Sequence, residues 1–572
     1  MGLCNSLQTK AKRYIYEKNW DKALTIYLHL LDDEPEHVCY NAIVGEIYVA
    51  LEKYPLAVRH FEKAIVGLKS LQQPDQQELE YHGTLCFLLG QTLQMVGENR
   101  LALTHLEAAT QLRPNWVDPY LAIGRLAFDL GEHQKSLSAF YDIARISPKD
   151  GSAWLTVAWL SQTLKNHNGA IDAARKTLQL DPNSEQAHMI LADSLRQTGY
   201  GHESIAHYEA VIADNGNHVH ALYGYGQSLL ATGDLDRGWL GFEARRICEA
   251  GTWGNHFLPD WNGETDPQLS VLAYGEGGIA SEIQFASCLP DLAQRIGQCY
   301  VECSKPLRSL FERSFPGMTV MTQGCDSMIS DQYPGKYFQK QVAFGSLPRF
   351  FRTSFEQFPK TCKPYLVADP QKVANWKKRL AQLPGEQKIG ILCEGNWSTE
   401  PQEQCRLPFE GIGKMFNSLS PDSVHWVSLQ HGSAKKGWLQ FCESTTAKVS
   451  HFQEAFAADL DELAAMILAL DLVIAPTGFQ AHLAAALGVP CWVVLQQECD
   501  WRWHLSRSSS PWYPNVKLFR QKHGESWPVL TQRIMVALHS HLSYDEPLPV
   551  IPFPASNGYA IMVSDYAAAK VG

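Results

Sequence analysis

The chain has 572 residues, too many for one hydrophobic core, and an apolar and charged content typical of globular proteins rather than disordered or fibrous ones. A formal net charge of −11 argues against a general nucleic-acid or anionic-membrane binder. No apolar run reaches the roughly 18 residues of a membrane helix, so stable membrane insertion is not expected. The fourteen cysteines are scattered without metal-ligand spacing, which fits a reducing cytosol and a cytoplasmic chain.

The first element to emerge is a repeat. A small residue recurs at Ala23 and Ala57, then at Ala102, Ser136, Ala170, Ser204 and Gly238, each 34 positions after the last except for one step of 45. That surplus falls on the polar stretch 70–77. Gly124, Ala158, Ala192 and Gly226 keep the same spacing, as do Pro114, Pro148 and Pro182. Small residues allow paired helices to approach closely, and proline closes the second helix of each unit. The period is similar to that of the tetratricopeptide repeat and predicts about seven helix-turn-helix units over 7–248. Such a solenoid accepts a protein or peptide partner in its groove.

After residue 250 the period stops. The stretch 249–269, with Trp253, Trp261, Pro259 and Pro267, reads as a linker. Beyond it, short β-rich apolar runs at 270–274, 298–303, 389–393, 425–429, 470–475, 491–495 and 516–519 alternate with helical stretches, including 281–295 and 306–315. This alternation predicts parallel sheets covered by helices. A helix ending at Pro384-Gly385 divides the region into lobes at 270–383 and 384–543, followed by a tail at 544–572. The stretch 472–495 reads strand, Pro-Thr-Gly turn, alanine-rich helix with His482, Gly-Val-Pro stop, strand. Such a turn lies at the carboxyl edge of a parallel sheet, where helix N-terminal amides can hold a diphosphate.

Several residues at these edges are candidates for chemistry. His482, one turn into its helix, could hydrogen-bond a diphosphate as a glycosidic bond breaks, or could be tied into the sheet for packing. Thr477, Gly478, Phe479 and Gln480 form the turn and first helical positions, where backbone and amide approach a phosphate, or simply cap a helix. The loop Gly275, Glu276, Gly277 and Gly278 follows the first strand and lets a sugar approach the backbone closely. Trp501, Trp503, Trp512 and Tyr513 make an aromatic group, expected to serve packing rather than stacking on a ligand. No metal-ligand pattern is present, so neither metal nor cofactor is expected.

The ordered set of motifs resembles a known family. They are Tyr274-Gly275-Glu276-Gly277-Gly278-Ile279 with Glu282 through Pro290, Gly345-Ser346-Leu347-Pro348-Arg349, Trp426 through Gly432, Ala481 through Gly488, and Asp500 through Trp503 with Pro511 through Pro514. Together they look like bacterial tetratricopeptide-repeat proteins with a C-terminal GT-B glycosyltransferase domain, related to heptosyltransferases and more distantly to O-GlcNAc transferases. The resemblance implies an α-solenoid followed by an α/β GT-B fold of two Rossmann-like lobes. It further implies metal-independent sugar transfer from a nucleotide-sugar donor to a protein acceptor. In that reading Arg406 and His482 offset leaving-group charge, Gly432 joins the donor site, and the first lobe presents the acceptor.

Three positions depart from the family. Ser281 stands where relatives carry an aspartate thought to be the base, Glu394 where a tryptophan-arginine pair is common, and Thr477 where aspartate or asparagine is common. Serine does not take a proton at neutral pH without a partner. Glu276 and Glu282 are the nearest carboxylates, and the alternative for both is a solvated surface glutamate. The rival to the enzyme is thus a catalytically inactive repeat scaffold with a folded GT-B-like half.

Overall fold

The computed structural model describes residues 2–248, 258–323, 338–395, 406–432, 435–456, 459–497 and 500–542, with side chains from residue 6 onward. The chain forms two compact units, Met1–Ala250 with Asp500–Leu505, and Gly251–Cys499 with Ser506–Gly572. The tail 544–572 and the linker positions 249–257 lie outside the described residues.

The first unit is a stack of fourteen helices from Gly2–Tyr16 to Leu235–Phe242, each packed on the next, with a closing turn at Arg245–Cys248. The small-residue series sits where helices touch: Ala23, Ala57, Ala102, Ser136, Ala170 and Ser204 are all fully buried. At Gly124 an added Cβ would lie 2.7 Å from the Phe140 ring, and at Gly226 it would lie 2.4 Å from the backbone nitrogen of Phe242. No side chain fits at Gly226 without moving backbone. The long step in the period is only partly loop. Helix Gln76–Val96 starts with an Asp75–Glu78 capping box and runs for 21 residues, so extra helix absorbs much of the surplus.

A second regularity was not visible as a small-residue pattern. In four repeats a polar side chain near the start of the first helix donates to the carbonyl of the proline six residues earlier. The bonds are Asn41 Nδ2 to Pro35 (2.9 Å), Tyr120 Oη to Pro114 (3.2 Å), Trp154 Nε1 to Pro148 (3.2 Å) and His188 Nε2 to Pro182 (3.1 Å). Each ties a repeat to the turn that precedes it. The last fixes a tautomer: a carbonyl only accepts, so neutral His188 carries its proton on Nε2. Its Nδ1 then accepts from Nδ1 of His207, 2.9 Å away.

The aromatic group expected at 501–513 is two groups. Trp501 packs edge-on against Trp239 (5.5 Å between centroids) and Phe242 (5.1 Å) inside the first unit. Trp512 and Tyr513 belong to the second.

The second unit holds ten strands among the described residues: β1 (Asp266–Tyr274), β2 (Ile296–Cys303), β3 (Thr319–Thr322), β4 (Lys340–Ala343), β5 (Gln387–Ile391), β6 (Val424–Ser428), β7 (Val449–His451), β8 (Leu472–Pro476), β9 (Cys491–Leu495) and β10 (Val516–Arg520). They form two parallel sheets, ordered β3-β2-β1-β4 and β10-β9-β8-β5-β6-β7. Strands β6, β8 and β9 are buried along their whole length, as strands of a parallel sheet covered on both faces should be.

Of the helices in this unit, five matter for the site: α1 (Gly278–Ala286), α2 (Arg308–Ser314), α3 (Pro370–Leu380), α4 (Asp461–Leu468) and α5 (Phe479–Ala486). The single helix expected at 281–295 is α1 plus a short segment, Leu289–Ala293, broken at Ser287 and Cys288, with Pro290 opening the second piece. Helix α3, assigned from sequence to the first lobe, packs on α4 of the second. Part of the expected linker is strand-like: Trp261 N donates to Gln341 O (2.8 Å), beside β4.

Candidate site at the carboxyl edges of the two sheets

Strand β1 leads into the Gly275–Gly278 loop, where Gly277 and Gly278 take left-handed φ of 70° and 76°. The loop is tight because two carboxylates fold back against it. An added Cβ on Gly275 would lie 2.6 Å from the Glu282 carboxyl, and one on Gly277 would lie 2.7 Å from Ser281 Oγ. Neither glutamate is the solvated surface residue that sequence allowed. Glu276 is 4 % exposed and its Oε1 accepts from Gly345 N (2.9 Å). Glu282 is 1 % exposed and accepts from the backbone N–H of Ser304 (2.8 Å) and from its hydroxyl. Burial pushes the Glu282 carboxyl up to about 7, and nearby Glu302 and Glu276 push the same way against the two Ser304 bonds. Both side chains hold this loop together, and Ser281 beside them is also buried.

On the second sheet, Gln430 ties the ends of β5 and β6. Its Oε1 accepts from Cys393 N (3.1 Å) and Glu394 N (2.9 Å), and its Nε2 donates to Glu394 O (3.0 Å). An added Cβ on Gly395 would lie 2.0 Å from Thr477 O, so this edge and the Thr477-Gly478 turn are in direct backbone contact. Gly432 has a left-handed φ of 72° and open space where a Cβ would be. Arg406 pairs through its backbone with Glu394 and holds its guanidinium 3.8 Å from that carboxylate and 4.9 Å over the Phe409 ring. It stays more than half exposed, so its charge is only partly offset.

Helix α5 begins at the Thr477-Gly478 turn. Phe479 and Gln480 are buried, and Gln480 Nε2 donates to Nδ1 of His431 (3.2 Å). Gln480 Oε1 has no hydrogen-bond partner, and neither has Nε2 or Oε1 of Gln284 on α1, although both residues are at most 1 % exposed. Helices α1 and α5 pack on each other. An unsatisfied buried amide costs on the order of 1–3 kcal/mol, and three such atoms on a pair of touching helices need a partner.

His482 lies in a different environment from the one a donor-facing residue needs. It is 3 % exposed and its Nδ1 meets Tyr513 Oη at 2.9 Å. Tyr513 bonds Tyr365, whose hydroxyl donates to Ile283 O on α1 (2.7 Å). The histidine thus belongs to a buried chain of hydrogen bonds linking the lobes. Sequence reasoning missed His431 and its setting: its ring stacks on Phe456 (5.3 Å, 7°), whose other neighbour is His451 (5.6 Å, 12°). Burial lowers the pKa of both imidazoles. Position was the available signal, since Gln430-His431-Gly432 directly follows a predicted strand and so falls at the carboxyl edge.

Among the described residues no group of three or more His, Cys, Asp or Glu is placed to hold a metal ion, and no helix is long and apolar enough to cross a membrane.

A family model described as tetratricopeptide repeat matches residues 87–151 and 191–238. Protein FlbA of Caulobacter vibrioides is 24% identical over 529 residues, covering 83% of this chain and 86% of that protein. A tetratricopeptide repeat protein 21 homolog of Caenorhabditis briggsae is 24% identical over 215 residues, 36% of this chain and 14% of that one. Among solved structures, MamA protein is 20% identical, covering 32% of this chain and 94% of that chain, with a TM-score of 0.27. YrrB, described as a TPR protein with an unusual peptide-binding site, is 22% identical, covering 31% and 86%, with a TM-score of 0.26. The helix pairs of the first unit are tetratricopeptide repeats, an architecture that serves protein interaction.

Proposed function

We propose that the second unit is a GT-B-like domain that binds a nucleotide-sugar between its two sheet edges and transfers the sugar to a protein captured by the repeats. The observation that carries this reading is the pairing of α1 and α5. Each leaves the carboxyl edge of its own parallel sheet, they pack together, and Gln284 and Gln480 bring buried amide atoms without partners to that pair. Ligands of open α/β sheets bind outside such edges, at helix N-termini that favour a diphosphate. Arg406, on the rim and largely in solvent, is a cation that can serve the phosphates. Tethering an acceptor to the same chain raises its effective concentration at the cleft, which gives a repeat array fused to a transferase its purpose. The chain would do this in the cytoplasm, where nucleotide-sugars are made.

A second reading, a scaffold without catalysis, is favoured by a specific observation. Glu276, Glu282 and His482, the nearest candidates for proton transfer, are all buried and bonded to other protein groups. The readings separate on two variants, His482→Ala and Tyr513→Phe, assayed for sugar transfer per folded molecule by mass spectrometry of the acceptor. If the imidazole acts on the donor, His482→Ala should lower transfer by about 10²-fold or more while Tyr513→Phe retains most of it. Equal transfer by both, with equal losses of stability, makes His482 a packing residue. Transfer by no form of the chain leaves the scaffold.

A further inference from the structure

Besides the packing of α1 on α5, two sets of contacts join the lobes of the second unit, and they differ in kind. One is buried and mostly apolar: Phe285 of α1 meets Trp512 edge-on (5.8 Å), Trp512 meets Phe358 (5.0 Å), and Tyr365 bonds Ile283. The other is ionic. Arg313, on α2 of the first lobe, reaches Asp461 at the start of α4 in the second with two parallel bonds, Nη1 to Oδ1 and Nη2 to Oδ2, both 2.9 Å. The Asp461 side chain is 6 % exposed and the Arg313 side chain 25 %.

Around this pair every partner is polar. Arg313 Nη1 also donates to Val367 O (3.1 Å), and its other guanidinium nitrogen lies 3.9 Å from Asp369. Lys372 of α3 sits 4.0 Å from Asp461 and 3.4 Å from Glu462, which also accepts from Trp376 Nε1 (2.8 Å). Asp459 adds negative charge on the same side. Two backbone amides complete the joint: Leu460 N donates to Pro306 O (3.1 Å), beyond the end of β2, and Val367 N donates to Ser314 Oγ (2.9 Å).

We infer that the Arg313–Asp461 pair is a releasable latch between the lobes, and that the aromatic contact around Trp512 is the fixed one. Bidentate guanidinium–carboxylate geometry gives the pair its direction and strength. Arg313 is a quarter exposed, so water can solvate its guanidinium as the joint opens, whereas opening the aromatic contact exposes apolar surface. Among the described residues, Arg313 is the cation seen to bridge from the first lobe into this acidic group, because Lys372 stands on the second-lobe side with Asp461 and Glu462. Losing Arg313 therefore frees one joint and leaves the other in place. Release of the latch would admit ligand to the sheet edges without unfolding either lobe.

Hydrogen–deuterium exchange of the full chain, read by mass spectrometry, tests this. The peptide carrying Leu460 reports the latch and the peptide 279–286 reports the fixed contact. Arg313→Gln should speed exchange at Leu460 by at least roughly tenfold and leave 279–286 unchanged. The exchanged pair, Arg313→Asp with Asp461→Arg, should restore protection at Leu460. The proposal is overturned if Arg313→Gln leaves Leu460 unchanged, if both peptides speed up together, or if the exchanged pair folds without restoring protection. None of these outcomes depends on nucleotide binding.

Discussion

Glu282 shows how one residue's burial becomes a property of the domain. Its folded pKa, about 7, lies above the ordinary 4.5, so the folded state holds the proton more tightly than the unfolded one. Its contribution is complete below pH 4.5 and is lost as pH rises towards 7. His425 has the opposite sign. Burial, with Lys388 and Lys448 nearby, pushes its pKa down to about 4, so its contribution is complete above 6.5 and lost as pH falls towards 4. In the parent chain these slopes oppose each other between pH 4.5 and 6.5. Glu282→Gln keeps a carbonyl for Ser304 N and removes the charge, so its stability should rise with pH where the parent's is flatter. Its gain over the parent should grow by on the order of 2–3 kcal/mol from pH 4.5 to 8. Denaturant melts at those two pH values measure this, and an equal difference at both would show that folding does not raise the Glu282 pKa.

At the scale of elements, the repeats rest on two kinds of contact with different costs. Trp154→Phe removes the bond to the Pro148 carbonyl and part of the ring's packing, and should cost about 1 kcal/mol. Gly124→Ala drives a methyl group to 2.7 Å from the Phe140 ring and should cost more, about 1–3 kcal/mol. Urea melts of the two variants should keep that order, and the reverse order would mean that the turn bonds, not close helix approach, set the period. The period itself was legible because small residues at helix crossings are few and regular. The turn bonds were not, because Asn41, Tyr120, Trp154 and His188 share a position but not a residue type. In the second unit, five-residue apolar strands such as β8 and β9 could be read directly. Strands β3, β4 and β7 have only three or four residues each, too few for a period to show. The edge residues were located better than their roles: a sequence places Glu276, Glu282 and His482 beside a turn, but only packing decides whether they face a ligand or fold inward.

At the scale of the whole molecule, the chain joins a recognisable protein-binding array to two parallel sheets whose carboxyl edges carry paired helices. The account's central claim is that this pair of edges takes a nucleotide-sugar. The most direct measurement is the melting of the purified chain with uridine, guanosine, cytidine and adenosine diphosphates and their sugars, each at the highest soluble concentration. The account predicts that one nucleotide class stabilises the chain by about 2.7 kcal/mol once its concentration reaches 100 times its dissociation constant. It also predicts that Gln480→Ala, which removes an unpartnered amide oxygen together with the Nε2 bond to His431, loses most of that gain when each form is compared with its own ligand-free melting. No shift with any of these ligands would contradict the claim and leave the repeat array as the working part of the molecule.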